Sequence, residues 1–314
     1  MTVIIGSPHE FNSGDLYVDL RQSVGLPLFL KCEGFNFARS IKLKAATEMV
    51  EGAERRGVLR PGMTIVESSS GNLGVALSML AASRGYRFVC VTDAHCTASS
   101  RRLMQALGAQ VHVVTQPKAA GGYLAARIEH VRELCAAAPG TVWLNQYSSP
   151  DNWGAHYRRT GAEILAAFPG LEILFVGAGT TGTLTGCARY LRDQGHRAEV
   201  VAVDVEGSVT FGGPAGVRKI PGLGTGIRPA QLDESLVDDV VVVGERETVA
   251  TCRELATHGF VFGGSTGTVV SGARRWLARH RPGADVVAVA IAPDLGDGYL
   301  DSVYNDDWVR ELPG

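Results

Sequence analysis

The stretch NFARSIKLKAA, residues 36–46, sets two lysines, Lys42 and Lys44, one residue apart at what reads as a helix start. Taken alone, either amine is a solvated surface charge, and only its company can make it more. The most specific local pattern lies further on, in VGAGTTGTLTGCARYL, residues 176–191. An apolar strand runs into Gly177, Gly179 and Gly182, interleaved with Thr180, Thr181 and Thr183, and a helix begins near Leu184. The N–H groups of such a turn, three hydroxyls and the positive end of a helix converge on one point, which suits a dianionic phosphate. A tight turn whose threonines merely cap the helix is the plainer alternative. No GK[ST] follows, and no ribose-binding acid stands at the dinucleotide spacing, so the pattern points away from ATP and NAD.

Two more turns have the same character. In ESSSGNLGVALS, residues 67–78, Ser69, Ser70, Gly71 and Asn72 offer hydroxyls, N–H groups and an amide where a strand hands over to a helix. They suit a carboxylate or a ring oxygen; an N-cap with spare serines is the alternative. In FGGSTGTVVSGA, residues 262–273, Gly263, Gly264, Ser265, Thr266 and Gly267 repeat the chemistry. Three such loops in one chain are hard to explain as turns alone.

The elements that must position these loops read as alternating strands and helices. Candidate strands are TIVES (64–68), FVCVTD (88–93), QVHVVT (110–115), VWLNQ (142–146), ILFVGAG (173–179), EVVAVDV (199–205), DVVVVG (239–244) and DVVAVAI (285–291). Several are nearly continuous apolar runs, as in parallel sheets covered on both faces. The spacers GVALSMLAASRG, SSRRLMQALGA and TGCARYLRDQG carry apolar residues at helical spacing and close on Gly or Gly-Ala. The pattern predicts an α/β fold with parallel sheets. The turn-rich NQYSSPDNWG marks a boundary near residue 145.

The chain has 314 residues, 45% hydrophobic and 20% charged, enough for one large domain or two moderate ones. A net charge of −2 gives no electrostatic reason to expect nucleic acid or a membrane surface, and no apolar run approaches the length of a membrane span. MTVIIGSPHEF lacks the basic region and long apolar core of a signal peptide. The six scattered cysteines form no CxxC pair and read as reduced, mostly core thiols, so a cytoplasmic protein without a metal site is expected.

At these residues the chain resembles the pyridoxal-phosphate enzymes of the cysteine synthase family, of fold type II. The match runs over nearly the whole length. CEGFN and RSIKLK stand against the lysine loop, SSSGNLG against the substrate carboxylate loop, and NQY against the residues that follow it. GTTGTLTG stands against the cofactor phosphate loop, KIPGLGTG against a loop over the active site, and GGSTG against the ring-nitrogen serine. The resemblance makes Lys42 the Schiff-base residue, which also shuttles the Cα proton, and puts Lys44 in the place of a structural arginine. It assigns Asn72 to the ring hydroxyl oxygen, Gly179, Thr180, Thr181, Gly182 and Thr183 to the phosphate, and Ser265 to the pyridine nitrogen. Ser69, Ser70, Gly71 and Gln146 fall to the substrate α-carboxylate. Pyridoxal 5'-phosphate is an electron sink for the carbanion left at Cα. A neutral serine at its nitrogen makes that sink weaker, which favours prompt β-elimination to an aminoacrylate and then addition of a nucleophile.

Within the family, the resemblance is to enzymes of 2,3-diaminopropionate biosynthesis in siderophore and antibiotic pathways. These join O-phospho-L-serine to L-glutamate, giving N-(2-amino-2-carboxyethyl)-L-glutamate. It is carried by GGYLAARIEHVREL (121–134), NQYSSPDNWGAHYRRTGAEI (145–164), DVEGSVTFGG (204–213), GGSTG and PDLGDGYLDSVYNDDW (293–308). It assigns Arg127 to the glutamate carboxylate with Tyr147 beside it; a surface-helix arginine is the alternative for Arg127. Arg218, in GVRKIPGLG, is assigned to the leaving phosphate, against a loop salt bridge. Arg39 is bulky and cationic where the family has small residues. A sulfhydrylase using sulfide, and a non-catalytic pyridoxal-phosphate regulatory protein, are the alternative functions.

The expected architecture is two α/β domains, tryptophan synthase β-like, with twisted and mostly parallel sheets flanked by helices and the cofactor between them. Residues 35–144 form the smaller, mobile domain. Residues 1–34 plus 145–314 form the larger one, to which the N-terminal strand crosses. The resemblance implies a homodimer acting on small amino acids. No appended regulatory domain and no heme-binding N-terminal extension are expected at this length.

Overall fold

The computed structural model describes residues 4–11 and 13–312. Residues 1–3, 12, 313 and 314, assigned by sequence to the larger domain, lie outside the described residues. Ten strands form two sheets: β1 (Tyr17–Asp19), β2 (Phe29–Cys32), β3 (Thr64–Ser68), β4 (Arg87–Asp93), β5 (Gln110–Val114), β6 (Thr141–Trp143), β7 (Ile173–Gly177), β8 (Glu199–Val205), β9 (Asp239–Val243) and β10 (Ala288–Ala292).

One sheet has the order β1-β2-β10-β7-β8-β9 and the other β5-β4-β3-β6. Every pairing is parallel except β1 with β2. The apolar runs explain why: in β7, β8 and β10 nearly every residue is buried, because helices cover both faces. The six-stranded sheet carries apolar clusters on its two sides, one around Phe175 and Trp276 and one around Leu174 and Leu191. The four-stranded sheet has its own cluster around Met49, Leu77 and Met104.

Local departures from the sequence reading have identifiable causes. The strand expected over 142–146 stops at Trp143, because Asn145 turns to a left-handed φ of 55° and the Gln146 N–H donates to the Glu67 side chain instead of a ladder. The strand expected from residue 285 begins at Ala288, since the Val287 N–H is taken by the Glu172 carboxylate. The helix expected near Leu184 begins at Gly182. Five of the six cysteines are buried and all are free thiols. Among the described residues, no helix is long and apolar enough to cross a membrane.

Candidate active site

Between the two sheets lies a cavity of about 940 Å³. The residues assigned by sequence to cofactor or substrate line it: Lys42, Ser69, Ser70, Gly71, Asn72, Arg127, Gln146, Tyr147, Gly179 through Thr183, Arg218 and Ser265; Lys44, Gly263, Gly264, Thr266 and Gly267 do not. The lining residues arrive from different elements because each parallel strand ends in a loop at the same edge of its sheet.

Lys42 is the first residue of the Lys42–Arg55 helix. Its segment is fixed by backbone bonds to the chain after β10: Ile41 N–H donates to Pro293 O at 2.7 Å, and Leu295 N–H donates to Arg39 O at 3.3 Å. Burial holds the Lys42 amine below the ordinary lysine value, and the charge of Asp294 partly offsets that. Lys44 points the other way. It is 1% exposed and pairs with Glu33 at 2.8 Å and Glu163 at 2.6 Å, while Lys31 pairs with the same two carboxylates at 3.3 and 2.8 Å. The two lysines of the opening motif therefore have opposite environments, one facing the cavity and one locked in an ionic quartet whose only partly exposed member is Glu163.

The Asn72–Arg84 helix starts at the serine loop. Ser69 Oγ accepts from the N–H groups of Gly71 at 3.2 Å and Gly74 at 2.9 Å, so this hydroxyl caps the helix. Gln146 braces the loop by donating from Nε2 to Ser68 O at 2.6 Å. Below it, Glu67 is fully buried and accepts from Trp143 Nε1, Ser68 N and Gln146 N; burial, against those bonds, pushes its carboxyl up to about 7.

The threonine loop opens the Gly182–Asp193 helix, with Thr181 at φ 65°. A side chain on Gly182 would meet Asn152 Oδ1 at 2.4 Å, so only glycine lets the loop sit this close to its support. Asn152 Nδ2 donates to Thr180 Oγ1 at 3.1 Å and to Gln146 O at 2.7 Å, tying this loop to the serine-loop brace. Thr183 Oγ1 lies 3.2 Å from Nε2 of His156, a buried histidine that burial, with the nearby lysine charges, holds well below its ordinary pKa.

Ser265 stands in the first turn of the Gly264–His280 helix, and a Cβ on Gly222 would be 2.2 Å from its Oγ. The loop carrying Gly222 can lie against that hydroxyl only because it has no side chain there. Arg218, from the same loop, donates from Nη1 to Gly207 O, and burial draws its guanidinium below the ordinary arginine value.

Arg127 is 7% exposed, so it is not a surface-helix arginine. Its Nε lies 3.1 Å from Asp93 Oδ2 as an ion pair, but neither Nε nor Nη1 makes a hydrogen bond among the described residues. Tyr147 lies within the field of Arg127, its hydroxyl 3.3 Å from Ser68 Oγ; burial raises its pKa. Asp93, Asn152, His156, Asp294 and Tyr299 drew no role from the sequence. Asp294 and Tyr299 stood within the quoted segment 293–308, and Asn152 and His156 within 145–164, but no local pattern set them apart.

The family model described as pyridoxal-phosphate dependent enzyme matches residues 17–292. A protein of Ralstonia nicotianae named N-(2-amino-2-carboxyethyl)-L-glutamate synthase is 41% identical over 288 residues, spanning 91% of this chain and 84% of the relative. A protein of Cupriavidus metallidurans with the same name is 37% identical over 305 residues, spanning 94% and 88%. Among solved structures, O-ureido-L-serine synthase aligns with a TM-score of 0.87 at 32% identity, covering 98% of this chain and 100% of that one.

Proposed function

The chain belongs to the family of pyridoxal-phosphate dependent enzymes, and we propose that it performs β-replacement on O-phospho-L-serine with L-glutamate as nucleophile. The product is N-(2-amino-2-carboxyethyl)-L-glutamate, and the setting is 2,3-diaminopropionate biosynthesis. The C–O bond to phosphate breaks at Cβ, a C–N bond forms there, and the glutamate nitrogen gives up a proton.

The residues fit the cofactor. A desolvated amine, Lys42, faces a cavity whose opposite loop offers a helix N-terminus and threonines. Gly182 and Gly222 remove side chains where the walls must approach closely. When bound, pyridoxal phosphate supplies an electron sink for charge developing at Cα. Lys42 would hold it and, once released, take the Cα proton at Nζ and return it, so proximity and general-base action come from one group. Gly179 to Thr183 would hold the phosphate, Asn72 the ring oxygen and Ser265 the ring nitrogen. The N–H groups and hydroxyl of Ser70, with Gly71 and Gln146, would receive the substrate α-carboxylate; Ser69 contributes by fixing the turn. Arg218 would meet the departing phosphate.

The single observation that supports the choice of nucleophile is the buried guanidinium of Arg127, a cavity-lining residue whose Nε and Nη1 make no hydrogen bond among the described residues. Sulfide needs no such receptor, whereas a carboxylate does. Residues 35–144 would act as the smaller, closing domain against residues 1–34 plus 145–314, in a cytoplasmic homodimer. The test is product identification by mass: O-phospho-L-serine with L-glutamate, and in parallel O-phospho-L-serine or O-acetyl-L-serine with sulfide. A glutamate adduct with little cysteine supports the reading. Efficient cysteine formation without the adduct overturns it in favour of a sulfhydrylase.

A further inference from the structure

Asp294 follows β10 and is 2% exposed, behind the cavity wall rather than on it. Its backbone forms an isolated antiparallel bridge with Ser40, two residues before Lys42. Its Oδ2 accepts from Asn72 Nδ2 at 3.1 Å and from the Tyr299 hydroxyl at 2.6 Å; Thr266 Oγ1 is 3.2 Å from its carbonyl and 3.5 Å from Oδ1. A Cβ on Gly263 would lie 2.3 Å from Oδ1, so the space for this carboxylate exists because residue 263 has no side chain. The Tyr299 hydroxyl also lies beside the Ser265 side chain, both bordering the space where a Cβ on Gly222 would stand. One chain of contacts thus runs Asn72–Asp294–Tyr299–Ser265, linking the residue for the ring oxygen to the residue for the ring nitrogen.

We propose that Asp294 is a positioning residue of the reaction: its carboxylate fixes the Asn72 amide and the Tyr299 hydroxyl, and, from a backbone bridged to Ser40, it sets a negative charge within electrostatic range of Lys42. This rests on the cofactor reading of the site and not on the choice of nucleophile. A carboxylate only accepts hydrogen bonds, so it dictates that the NH₂ end of the Asn72 amide faces it, leaving the second N–H of that nitrogen for another acceptor. Three donors directed at one buried carboxylate favour its ionised form, although burial pulls its pKa upward. The charged and titratable groups around it are Lys42, Tyr299, Cys252 and Tyr304. Those around Lys42 are Asp294 and the uncharged His156, so Asp294 is the anion that favours a proton on the lysine nitrogen.

The experiment follows the absorbance of the pyridoxal-phosphate-loaded full chain from pH 6 to 10, with cofactor affinity from equilibrium dialysis and a thermal melt as fold control. Asp294→Asn keeps the shape and removes the charge. With the melt within a few degrees of the parent, we expect the pH at which the long-wavelength band gives way to fall by at least about one unit, a tenfold change. Cofactor affinity should fall about tenfold. Tyr299→Phe, which breaks the relay but keeps the charge, should weaken cofactor affinity severalfold with a smaller spectral shift. A folded Asp294→Asn protein with parental titration and affinity overturns the proposal, whatever its turnover. If Asp294→Asn does not fold, parental spectrum and affinity in Tyr299→Phe overturn it equally. The product assay above is independent, so failure of the nucleophile reading leaves these readouts intact.

Discussion

Arg127 and Asp93 form a buried ion pair on the cavity wall, Nε to Oδ2 at 3.1 Å, and neither Nε nor Nη1 of the guanidinium makes a hydrogen bond among the described residues. An arginine so placed keeps donors for an anionic ligand, the role proposed for it above. Removing it alone would strand Asp93, which costs about 3–5 kcal/mol for a broken buried pair. The informative variant is therefore Arg127→Gln with Asp93→Asn. We expect glutamate-dependent product to fall at least a hundredfold, about 2.7 kcal/mol or more. Phosphate release from O-phospho-L-serine should stay within a fewfold of the parent. Equal loss of both would make Arg127 part of the scaffold.

Arg39 occupies a left-handed conformation, φ 57°, and pairs with Asp297 at 3.2 Å, both residues lining the cavity. The pair is exposed, 59% and 51%, so it is worth at most about 1 kcal/mol. The backbone strain of a non-glycine residue here is about 1–2 kcal/mol, which glycine avoids. Arg39→Gly should therefore be at least as stable as Arg39→Ala, and both should lie within about 1 kcal/mol of the parent in urea denaturation. An Arg39→Ala variant more stable than Arg39→Gly would show that the strain is not stored at this position.

Lys44 shares Glu33 and Glu163 with Lys31 in the ionic quartet. Lys44→Met leaves two carboxylates to one lysine, and we expect a loss of about 3–5 kcal/mol in denaturant unfolding. Adding Glu33→Gln should return part of it, since the remaining pair is then balanced. Additive losses in the double variant would mean that the four groups do not act as one cluster.

What the sequence made legible follows its local signals. Apolar runs such as EVVAVDV and DVVVV announce parallel strands, and the loops that pack glycine with hydroxyl residues stand where strands hand over to helices at the cavity. Only the family resemblance separated Lys42 from Lys44 and gave Lys44 a structural place; the residues around the two lysines did not say what holds Lys44. That answer lies in Glu163, 119 positions away. Asp294 was illegible for the same reason: its partner Asn72 lies 222 positions off, and neither residue carries a local pattern that betrays the other. Asn145, at φ 55°, ended a strand that periodicity would have continued.

Glu67 is the buried acid beneath the serine loop, and its position gives a pH dependence with a definite sign. Its carboxyl is pushed up by burial to about 7 from an ordinary value of 4.5, so the folded state binds a proton that the unfolded chain has already released. Stability from this group is complete below pH 4.5 and is lost as pH rises through 7, by about 3 kcal/mol in total. Glu67→Gln cannot titrate. It keeps one carbonyl for Trp143 Nε1 and Ser68 N but turns an NH₂ toward the Gln146 N–H, so it starts less stable at pH 5. The difference between the two proteins should then shrink steadily from pH 5 to 8 in urea denaturation. Parallel curves over that range would place the proton elsewhere.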